Sequence, residues 1–303
     1  KALPACLIGM EACASSHHWA RVLTGYGHVV KLMAAQFVKP YVKSGKNDAN
    51  DAEGICEAVG RPNMRFVEIK SVEQQVVQAE HRIRSRLVRV RTALANEIRG
   101  LLGEFGIVVA RGVSQIRNAL PILLEQQEHR LTQRFALLLR ELSEELKQID
   151  DRIGAHDKRI RIDSRDDPRV SRLMEIEGIG PISASALVAA VGDAKQFASG
   201  HDMAAWLGLV PSQHSSGGKD RLGHISKRGD TYLRTLLVHG ARAVLNSCAG
   251  KLDRRSQWAQ ALAARRNRNI ATVALANKNA RIAWAVLSRA EAYRGAQPAK
   301  QAT

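Results

Sequence analysis

Three acidic residues near the start of the chain could bind a metal ion. Glu11 follows the apolar run 6–10, which is typical of a buried strand, so it would lie at the strand's carboxyl end, where open α/β sheets place ligands. Asp48 and Asp51 are three residues apart at the start of a predicted helix and share one face. Converging carboxylates suit Mg²⁺, which can hold the attacking and leaving oxygens of a phosphodiester. The alternative is that Asp48 only caps the helix and that Asp51 is stabilised near its positive end.

A glycine-rich turn at Gly178-Ile179-Gly180-Pro181 follows Leu173-Met174 and precedes a helical stretch over residues 182–187. This order is typical of a helix-hairpin-helix motif. Gly178 and Gly180 would let the backbone approach a phosphate, and the helix start would supply N–H groups to it. Such a motif grips DNA without reading its sequence. A plain turn between two helices remains the alternative.

The segment 206–234 combines hydroxyl groups, glycines and positive charge. Ser215 and Ser216 precede Gly217-Gly218, a stretch whose backbone can curl closely around a phosphate. A serine becomes a nucleophile only if its proton is removed or its alkoxide is stabilised, which His214 or a nearby cation could do. Taken alone, the pattern favours a phosphate-binding loop with unreactive serines. The basic residues of the segment are Lys219, Arg221, Lys227, Arg228 and Arg234.

Arginines also recur along residues 71–102, which read as one uninterrupted helix. Arg82, Arg86 and Arg89 share a face and are candidates for binding nucleic acid. An apolar stripe runs along the same helix at Ile83, Leu87, Val90, Leu94, Ile98 and Leu101. A second long helix is predicted over residues 119–162, because its apolar residues recur at spacings of three, four and seven. That coiled-coil seam consists of Leu131, Phe135, Leu138, Leu142, Ile149 and Ile153.

The elements that must position these residues divide the chain into parts. Residues 1–70 show a strand-helix-strand rhythm, which predicts a mostly parallel α/β sheet. Its predicted strands cover 5–10, 28–33 and 66–69, and its predicted helices cover 15–26 and 48–59. A polar break at 164–168 ends in proline and marks a boundary. We therefore predict an α/β domain over 1–70, a long helical coiled-coil segment over 71–165, a mainly helical domain over 166–294 and a disordered tail over 295–303.

Composition indicates a polyanionic partner. The 303 residues carry a formal charge of +17, and this much like charge repels itself unless nucleic acid or another polyanion neutralises it. A merely basic, solvated surface is the alternative. No apolar run approaches the length of a membrane span, so no membrane partner is expected. The four cysteines show neither zinc spacing nor paired spacing, and we interpret them as reduced intracellular thiols. Because the chain begins at Lys1, we expect its reading frame to start upstream.

The ordered combination of motifs resembles a known family. It resembles the insertion-sequence transposases with a DEDD catalytic tetrad, known as the "one-ten" family with its "eleven-eleven" subgroup, over essentially the whole chain. Each motif is weak alone, but their order makes coincidence improbable. The motifs are the strand ending in Glu11, KNDANDA, the arginine-rich helix with LLGEFG, IEGIGP, GLVPSQHSSGGK followed by ISKRGDTYLR, and VALANK.

The resemblance implies a RuvC-like, ribonuclease-H-type domain in which Glu11, Asp48 and Asp51 bind Mg²⁺. It also implies a transposase domain with a nucleophilic serine. Ser216, directly before the glycine, is the better match to the family's motif, and Ser215 is the fallback. Members of the family cut and rejoin DNA through a phosphoserine link, are guided by a structured RNA and assemble as dimers or tetramers. We accordingly expect as partners the element's ends, target DNA and a guide RNA, in the nucleoid of a bacterial cytoplasm.

One departure from the family pattern matters. The family's first Asp lies on the first strand of the RuvC-like sheet, and no residue here can replace it. We therefore expect the printed chain alone to be poorly stable and inactive in strand exchange, and an upstream extension to restore activity. Two other functions remain open: a catalytically defective nucleic-acid-binding remnant, and a RuvC-like junction nuclease that uses water as its nucleophile.

Overall fold

A computed structural model describes residues 3–43, 45, 47–126 and 131–293. The chain divides into two compact units, residues 1–75 and 76–303. The protein is mainly helical with little sheet. The predicted tail over 295–303 lies outside the described residues. Among the described residues, none of the helices combines the length and the apolar character that a bilayer crossing needs.

The first unit is a small three-stranded sheet with helices on both faces. Its order along the chain is β1 (Leu7–Glu11), α1 (Ser16–Gly25), β2 (Val29–Met33), α2 (Ala35–Val38), a short 3-10 helix (Lys39–Tyr41), α3 (Asp48–Val59) and β3 (Phe66–Val67). The predicted strand-helix-strand rhythm is confirmed, since β1 and β2 pair in parallel from Leu7↔Val29 to Glu11↔Met33. The sheet is less parallel than predicted, because β3 pairs with β2 antiparallel.

Successive side chains along β1 and β2 point to opposite faces of the sheet, and those on each face build an apolar layer. Val30 and Leu32 pack with Ala20 of α1 on one face, together with Ile8 and Met10. On the other face, Met33 packs with Val38, Ala58, Ile55 and Val59. Because Ile8 and Met10 point toward α1, Gly9 and Glu11 point toward the face that α3 covers.

The second unit begins within α4 (Val72–Glu104), which packs with α5 (Val113–Gln126) and α6 (Gln133–Asp163) around a core of their own. The prediction of one continuous helix over 119–162 is wrong, because α5 begins earlier and α6 starts afresh at Gln133. The Thr132 side chain accepts a hydrogen bond from the Phe135 N–H at 3.3 Å and so caps α6. Residues 127–130, which the predicted helix crossed, lie outside the described residues.

The predicted seam is confirmed in part. Phe135, Ile149 and Ile153 are buried, but Leu138 is 46% exposed, and Leu139 and Leu146 fill the core instead. On α4, Leu87, Leu94 and Ile98 are buried, whereas Ile83 and Val90 face solvent and Leu102 takes the innermost position. Within α4 and α6, each predicted stripe is therefore correct at three positions, and where it fails the buried residue can be the next one along, as with Leu139 in place of Leu138 and Leu102 in place of Leu101.

Ion pairs join α4 to α6 along their length. Arg91 Nη1 lies 3.1 Å from Asp150, and Arg84 also pairs with Asp157. At the same end, His156 Nδ1 lies 2.6 Å from Glu80 Oε1. Two of the arginines along α4 therefore neutralise acidic residues of the neighbouring helix.

The rest of the second unit is a helical bundle with one hairpin. It comprises α7 (Pro168–Met174), α8 (Pro181–Val191), a 3-10 helix (Ala194–Gln196), α9 (Gly200–Trp206), β4 (Pro211–Gln213), β5 (Leu222–Ile225), α10 (Thr231–Ser247), α11 (Arg254–Arg265) and α12 (Arg268–Arg289). Leu173, Leu187, Met203, Leu237 and Leu275, from five different helices, share one buried core. This core fixes the frame from which the β4–β5 hairpin projects.

Candidate functional site

The acidic trio lies at one end of the first unit. Glu11 ends β1 and is half-buried, and Asp48 and Asp51 occupy the first turn of α3. The alternative that Asp48 caps α3 is wrong: Asn47 is the cap, because its side-chain oxygen accepts from the Asn50 N–H at 2.8 Å. Neither aspartate is used for capping. Both nevertheless lie where the positive end of the helix dipole stabilises a carboxylate.

Packing of α3 on β1 aligns the three acids on one side of the sheet. A Cβ built on Gly9 would lie 2.9 Å from Val59 and 3.1 Å from Ile55, so the helix sits directly on the strand. Asp51 and Asp48 precede Ile55 by four and seven residues and therefore share its helical face. Glu11 points to this same side. In the described part of the chain, however, no three His, Cys, Asp or Glu side chains form a group that could hold a metal ion.

The serine segment forms the tip of the β4–β5 hairpin. The Lys219 N–H donates to the Ser216 carbonyl at 3.1 Å, and Gly217 and Gly218 have φ of 56° and 74°. A type I′ hairpin turn requires positive φ at both central residues, and glycine adopts positive φ at no steric cost. The two glycines therefore close a hairpin rather than a loop wrapped around a phosphate.

The two serines of the hairpin differ in their contacts. Ser215 Oγ accepts from Gln213 Nε2 at 2.9 Å and from the Arg221 N–H at 3.2 Å, and it donates to Asp220 Oδ1 at 3.2 Å. We call these three contacts of Ser215 the Ser215 clasp. The Ser216 side chain, by contrast, is exposed and has no hydrogen-bond partner among the described residues. Ser215 is thus engaged within the protein, whereas the Ser216 hydroxyl is available to a ligand.

The basic residues of the segment also fall into two groups. Lys219, Arg221, Lys227 and Arg228 are exposed around the hairpin. Arg234 is buried at 9% exposure, and its guanidinium donates to the Leu207 carbonyl at 3.2 Å, the Arg228 carbonyl at 3.4 Å and Thr231 Oγ1 at 3.1 Å. These contacts indicate that Arg234 positions the loop. The exposed residues are the ones placed to meet a phosphate.

Close backbone contacts hold the base of the hairpin. A Cβ built on Gly208 would lie 2.0 Å from the Arg228 carbonyl oxygen, and one on Gly229 would lie 1.9 Å from the Trp206 carbonyl oxygen. Asn277 of α12 also donates to the Leu209 carbonyl at 3.1 Å. The hairpin is therefore fixed to the bundle at its base, while its tip reaches outward.

The glycine turn between α7 and α8 packs against α10. Gly178 has φ of 87°, and a Cβ built there would lie 2.8 Å from the Gly240 carbonyl oxygen. This internal contact accounts for Gly178 without any ligand. Gly180 is exposed, has nothing within 4 Å of a built Cβ and caps α8 without a side-chain hydrogen bond. Of the two predicted phosphate contacts, only Gly180 is open to a ligand.

The three arginines that share a face of α4 are all exposed: Arg82, Arg86 and Arg89. Among the described residues, none of them forms an ion pair. Their neighbours Arg84 and Arg91 pair with α6 instead. The predicted sharing of a face is thus confirmed, and these three cations remain free to neutralise a polyanion.

Sequence reasoning missed several polar residues that organise the second unit. His81 is 3% exposed, and its ring nitrogens lie 3.0 Å from the Tyr232 hydroxyl and 3.2 Å from Ser185 Oγ. Burial, followed by the charge of Arg84, lowers the pKa of His81 from 6.5 to about 4. Contacts across such distances in sequence leave no local signal. Asp220 could have been found, because a two-glycine hairpin turn places residue 220 opposite Ser215.

Comparisons with known proteins agree with this organisation. A family model described as "Transposase IS116/IS110/IS902 family" matches residues 170–261, which include the glycine turn and the whole hairpin. A "Probable family 20 transposase" of Pseudomonas aeruginosa is 58% identical, over 96% of this chain and 87% of that protein. The "Transposase for insertion sequence element IS1111A" of Coxiella burnetii is 49% identical, over 94% of this chain and 78% of that protein.

A third relative, the "Transposase for insertion sequence element IS1328" of Yersinia enterocolitica, is 41% identical over 96% of this chain and 86% of that protein. All three alignments extend well beyond the residues that the family model matches. The similarity therefore covers both compact units and not the hairpin region alone. The chain belongs to the IS116/IS110/IS902 family of transposases.

Proposed function

We propose that this protein is the transposase of an insertion sequence, and that it cuts and rejoins DNA through a covalent bond to Ser216. The proposal rests on the contrast between the two serines: the Ser215 hydroxyl is held in the Ser215 clasp, whereas the Ser216 hydroxyl is exposed at the hairpin turn and has no hydrogen-bond partner among the described residues. A nucleophile must reach the phosphorus atom of its substrate, and only Ser216 is presented in that way.

The chemistry is a phosphoryl transfer. Ser216 Oγ forms a bond to phosphorus while the bond from phosphorus to a deoxyribose oxygen breaks; the serine hydroxyl loses its proton and the departing oxygen gains one. Exposed cations beside the serine, Lys219 and Arg221 above all, would stabilise both the alkoxide and the negative charge that develops on the phosphate. Reversal of the step on a second DNA end would rejoin the strands.

The acidic trio is proposed as the Mg²⁺ site. The residue types suit the ion, since carboxylate oxygens are the ligands that Mg²⁺ prefers, and Glu11, Asp48 and Asp51 lie on one side of the sheet, although the described residues do not form a group that could hold a metal ion in this structure. A bound Mg²⁺ would neutralise charge on the scissile phosphate. The three carboxylates would hold the ion in position. The resemblance implies a fourth ligand, the family's first Asp. The RuvC-like character of the sheet and the helix-hairpin-helix character of the glycine turn belong to the same proposal.

Partners follow from the same reasoning. We propose that element ends and target DNA bind along the exposed arginines of α4 and the basic hairpin, and that a structured RNA supplies sequence choice by base pairing. The net charge of +17 supports a large polyanionic partner. A dimer or tetramer joined through the long helices α4 and α6 is proposed with it.

Alanine substitution of each serine tests the proposal, using the natural protein encoded by the element's own reading frame. With labelled DNA carrying the element's ends, Ser216→Ala should abolish the detergent-resistant protein–DNA adduct while DNA binding persists. Ser215→Ala, the matched control, should retain the adduct, reduced about fivefold, since a net hydrogen bond is worth about 1 kcal/mol.

Three other outcomes identify the alternatives. Loss of the adduct in Ser215→Ala but not in Ser216→Ala would transfer the nucleophile to Ser215. Mg²⁺-dependent hydrolysis that survives removal of both serines would favour a junction nuclease. Salt-sensitive binding with neither adduct nor hydrolysis would favour a nucleic-acid-binding remnant.

A further inference from the structure

A second group of positive charges lies on the last two helices of the bundle, outside the residues assigned so far. Arg254 and Arg255 begin α11, and Lys278 and Arg281 are three residues apart on one face of α12. We call these four residues the α11–α12 cationic cluster. Burial lowers the pKa of Lys278, and the charges of Arg255, Arg254 and Arg281 lower it further, so all four cations lie within electrostatic range.

The cluster has too few acids to neutralise it. Glu177 is its acidic neighbour: one oxygen lies 4.0 Å from Arg255 Nη1 and the other lies 3.8 Å from Lys251 Nζ. In the described part of the chain, neither Arg254 nor Lys278 nor Arg281 forms an ion pair. The Lys278 ammonium lies 4.4 Å from the centre of the Trp258 ring, which stabilises a cation only modestly. Three of the four cations of the cluster therefore have no ion-pair partner in the described part of the chain.

Arg255 carries unused hydrogen-bond donors at this site. Its side chain is 4% exposed, and Nη2 donates to the Glu177 carbonyl at 3.0 Å and also to Asn279 Oδ1. Its Nε and Nη1 are buried and have no hydrogen-bond partner among the described residues. Burying a charged donor without a partner costs free energy, and an anion bound nearby would offset part of that cost.

The cluster is built onto the glycine turn. The Glu177 carbonyl, which immediately precedes Gly178, accepts from both Arg255 and Asn279, the latter at 3.0 Å. The exposed Gly180 and the first turn of α8 follow directly along the chain. The turn that ends at Gly180 is thus joined to the start of α11 and to α12 through the Glu177 carbonyl.

We propose that the α11–α12 cationic cluster, together with the turn at Gly180, binds the phosphodiester backbone of a nucleic acid. Arg254, Lys278 and Arg281 contact phosphate oxygens, and Arg255 holds the turn in place while adding its charge to the field. The contact is to backbone and not to bases, because the site offers cations and N–H donors without a groove-reading element. The inference rests on the proposed function in that the ligand is the nucleic acid of transposition, but it requires no catalysis.

The test measures salt dependence of binding in a catalytically silent Ser216→Ala background. Lys278→Gln and Arg281→Gln remove one charge each, and Arg289→Gln, at the exposed far end of the same helix, is the matched control. Each cluster substitution should lower the slope of log K against log salt by about 1, and the double substitution by about 2. The Arg289→Gln slope should equal that of the parent protein. Lys278→Arg, which keeps the charge, should restore the slope.

The probes are a mixed-sequence DNA duplex and a single-stranded RNA of equal length. A reduced slope with the duplex only assigns the site to DNA, a reduced slope with the RNA only assigns it to the guide, and either result supports the inference. Unchanged slopes with both probes overturn it, provided that each variant unfolds at the temperature of the parent protein. The two proposals fail separately, because the adduct is assayed in the protein that retains Ser216. A lowered slope in the cluster variants with no adduct in that protein defeats the proposed chemistry alone. A normal adduct in that protein with unchanged slopes in the cluster variants defeats this inference alone.

Discussion

Acidification should destabilise the second unit through one buried histidine, His81. The ring lies between Tyr232 and Ser185, and its pKa falls from 6.5 to about 4, chiefly because burial disfavours the charged form. The unfolded chain therefore binds a proton near pH 6.5, while the folded protein resists protonation until about pH 4. Stability that is fully present above pH 6.5 should be lost as the pH falls through this window.

The size of this effect follows from the two pKa values. At about 1.4 kcal/mol per pKa unit, the fall from 6.5 to about 4 corresponds to roughly 3 kcal/mol in total. At pH 5 the loss should already reach about 2 kcal/mol, since most unfolded chains are protonated there and few folded ones are. A loss of about 2 kcal/mol is a large share of the free energy of unfolding of a typical domain.

Acidification also acts on Glu80: burial raises its pKa, but hydrogen bonds from His156 and Arg159 lower it further, so its pKa lies below the ordinary value and the test therefore compares variants. His81→Gln keeps a donor and an acceptor in place but removes the titration. Urea unfolding of the parent protein and of His81→Gln at pH 8 and pH 5 should show a parent loss larger by about 2 kcal/mol. The exposed His239→Gln should behave like the parent. Equal losses in the parent and in His81→Gln would contradict the reasoning.

Two further substitutions test the packing and the acidic trio. Gly240→Ala should lower the free energy of unfolding by about 2 kcal/mol or more, because the new Cβ would lie 1.8 Å from the Gly178 oxygen; thermal unfolding measures the change. Gly154→Ala is the control: it lies in open space on α6 and should raise the free energy of unfolding by about 0.5–1 kcal/mol. Equal effects at the two sites would argue against the close approach. Asp51→Asn should reduce Mg²⁺-dependent adduct formation by at least about 100-fold with little change in unfolding temperature, whereas Glu53→Gln, which only releases Lys43, should not.

Local signals in the sequence predicted the local elements well. The helix over 48–59 has the predicted bounds, and the long helix over 71–102 differs from α4 by a residue or two at each end. For both helices, helix propensity, apolar spacing and flanking residues all indicate the same bounds. The helix over 119–162 was wrong because good helix formers continue across 126–130, and only Thr132, a modest capping signal, marks the new start.

Burial and distant contacts could not be predicted in the same way. Arg234 carries the same charge as its exposed neighbours, and only the fold shows that its guanidinium serves backbone carbonyls. The Asp48 capping alternative failed because Asn47, one residue earlier, has the better geometry. Tyr232 meets His81 across 151 residues, and no pattern in a single sequence encodes such a pair.

The most direct test of the central claim is identification of the residue that carries DNA. The covalent adduct formed on DNA bearing the element's ends would be digested with protease and nuclease, and the nucleotide-modified peptide would be sequenced by mass spectrometry. The modification is expected on Ser216, within the hairpin peptide that also contains Ser215. A nucleotide on any other residue, or complete strand transfer with no modified peptide, would contradict the account.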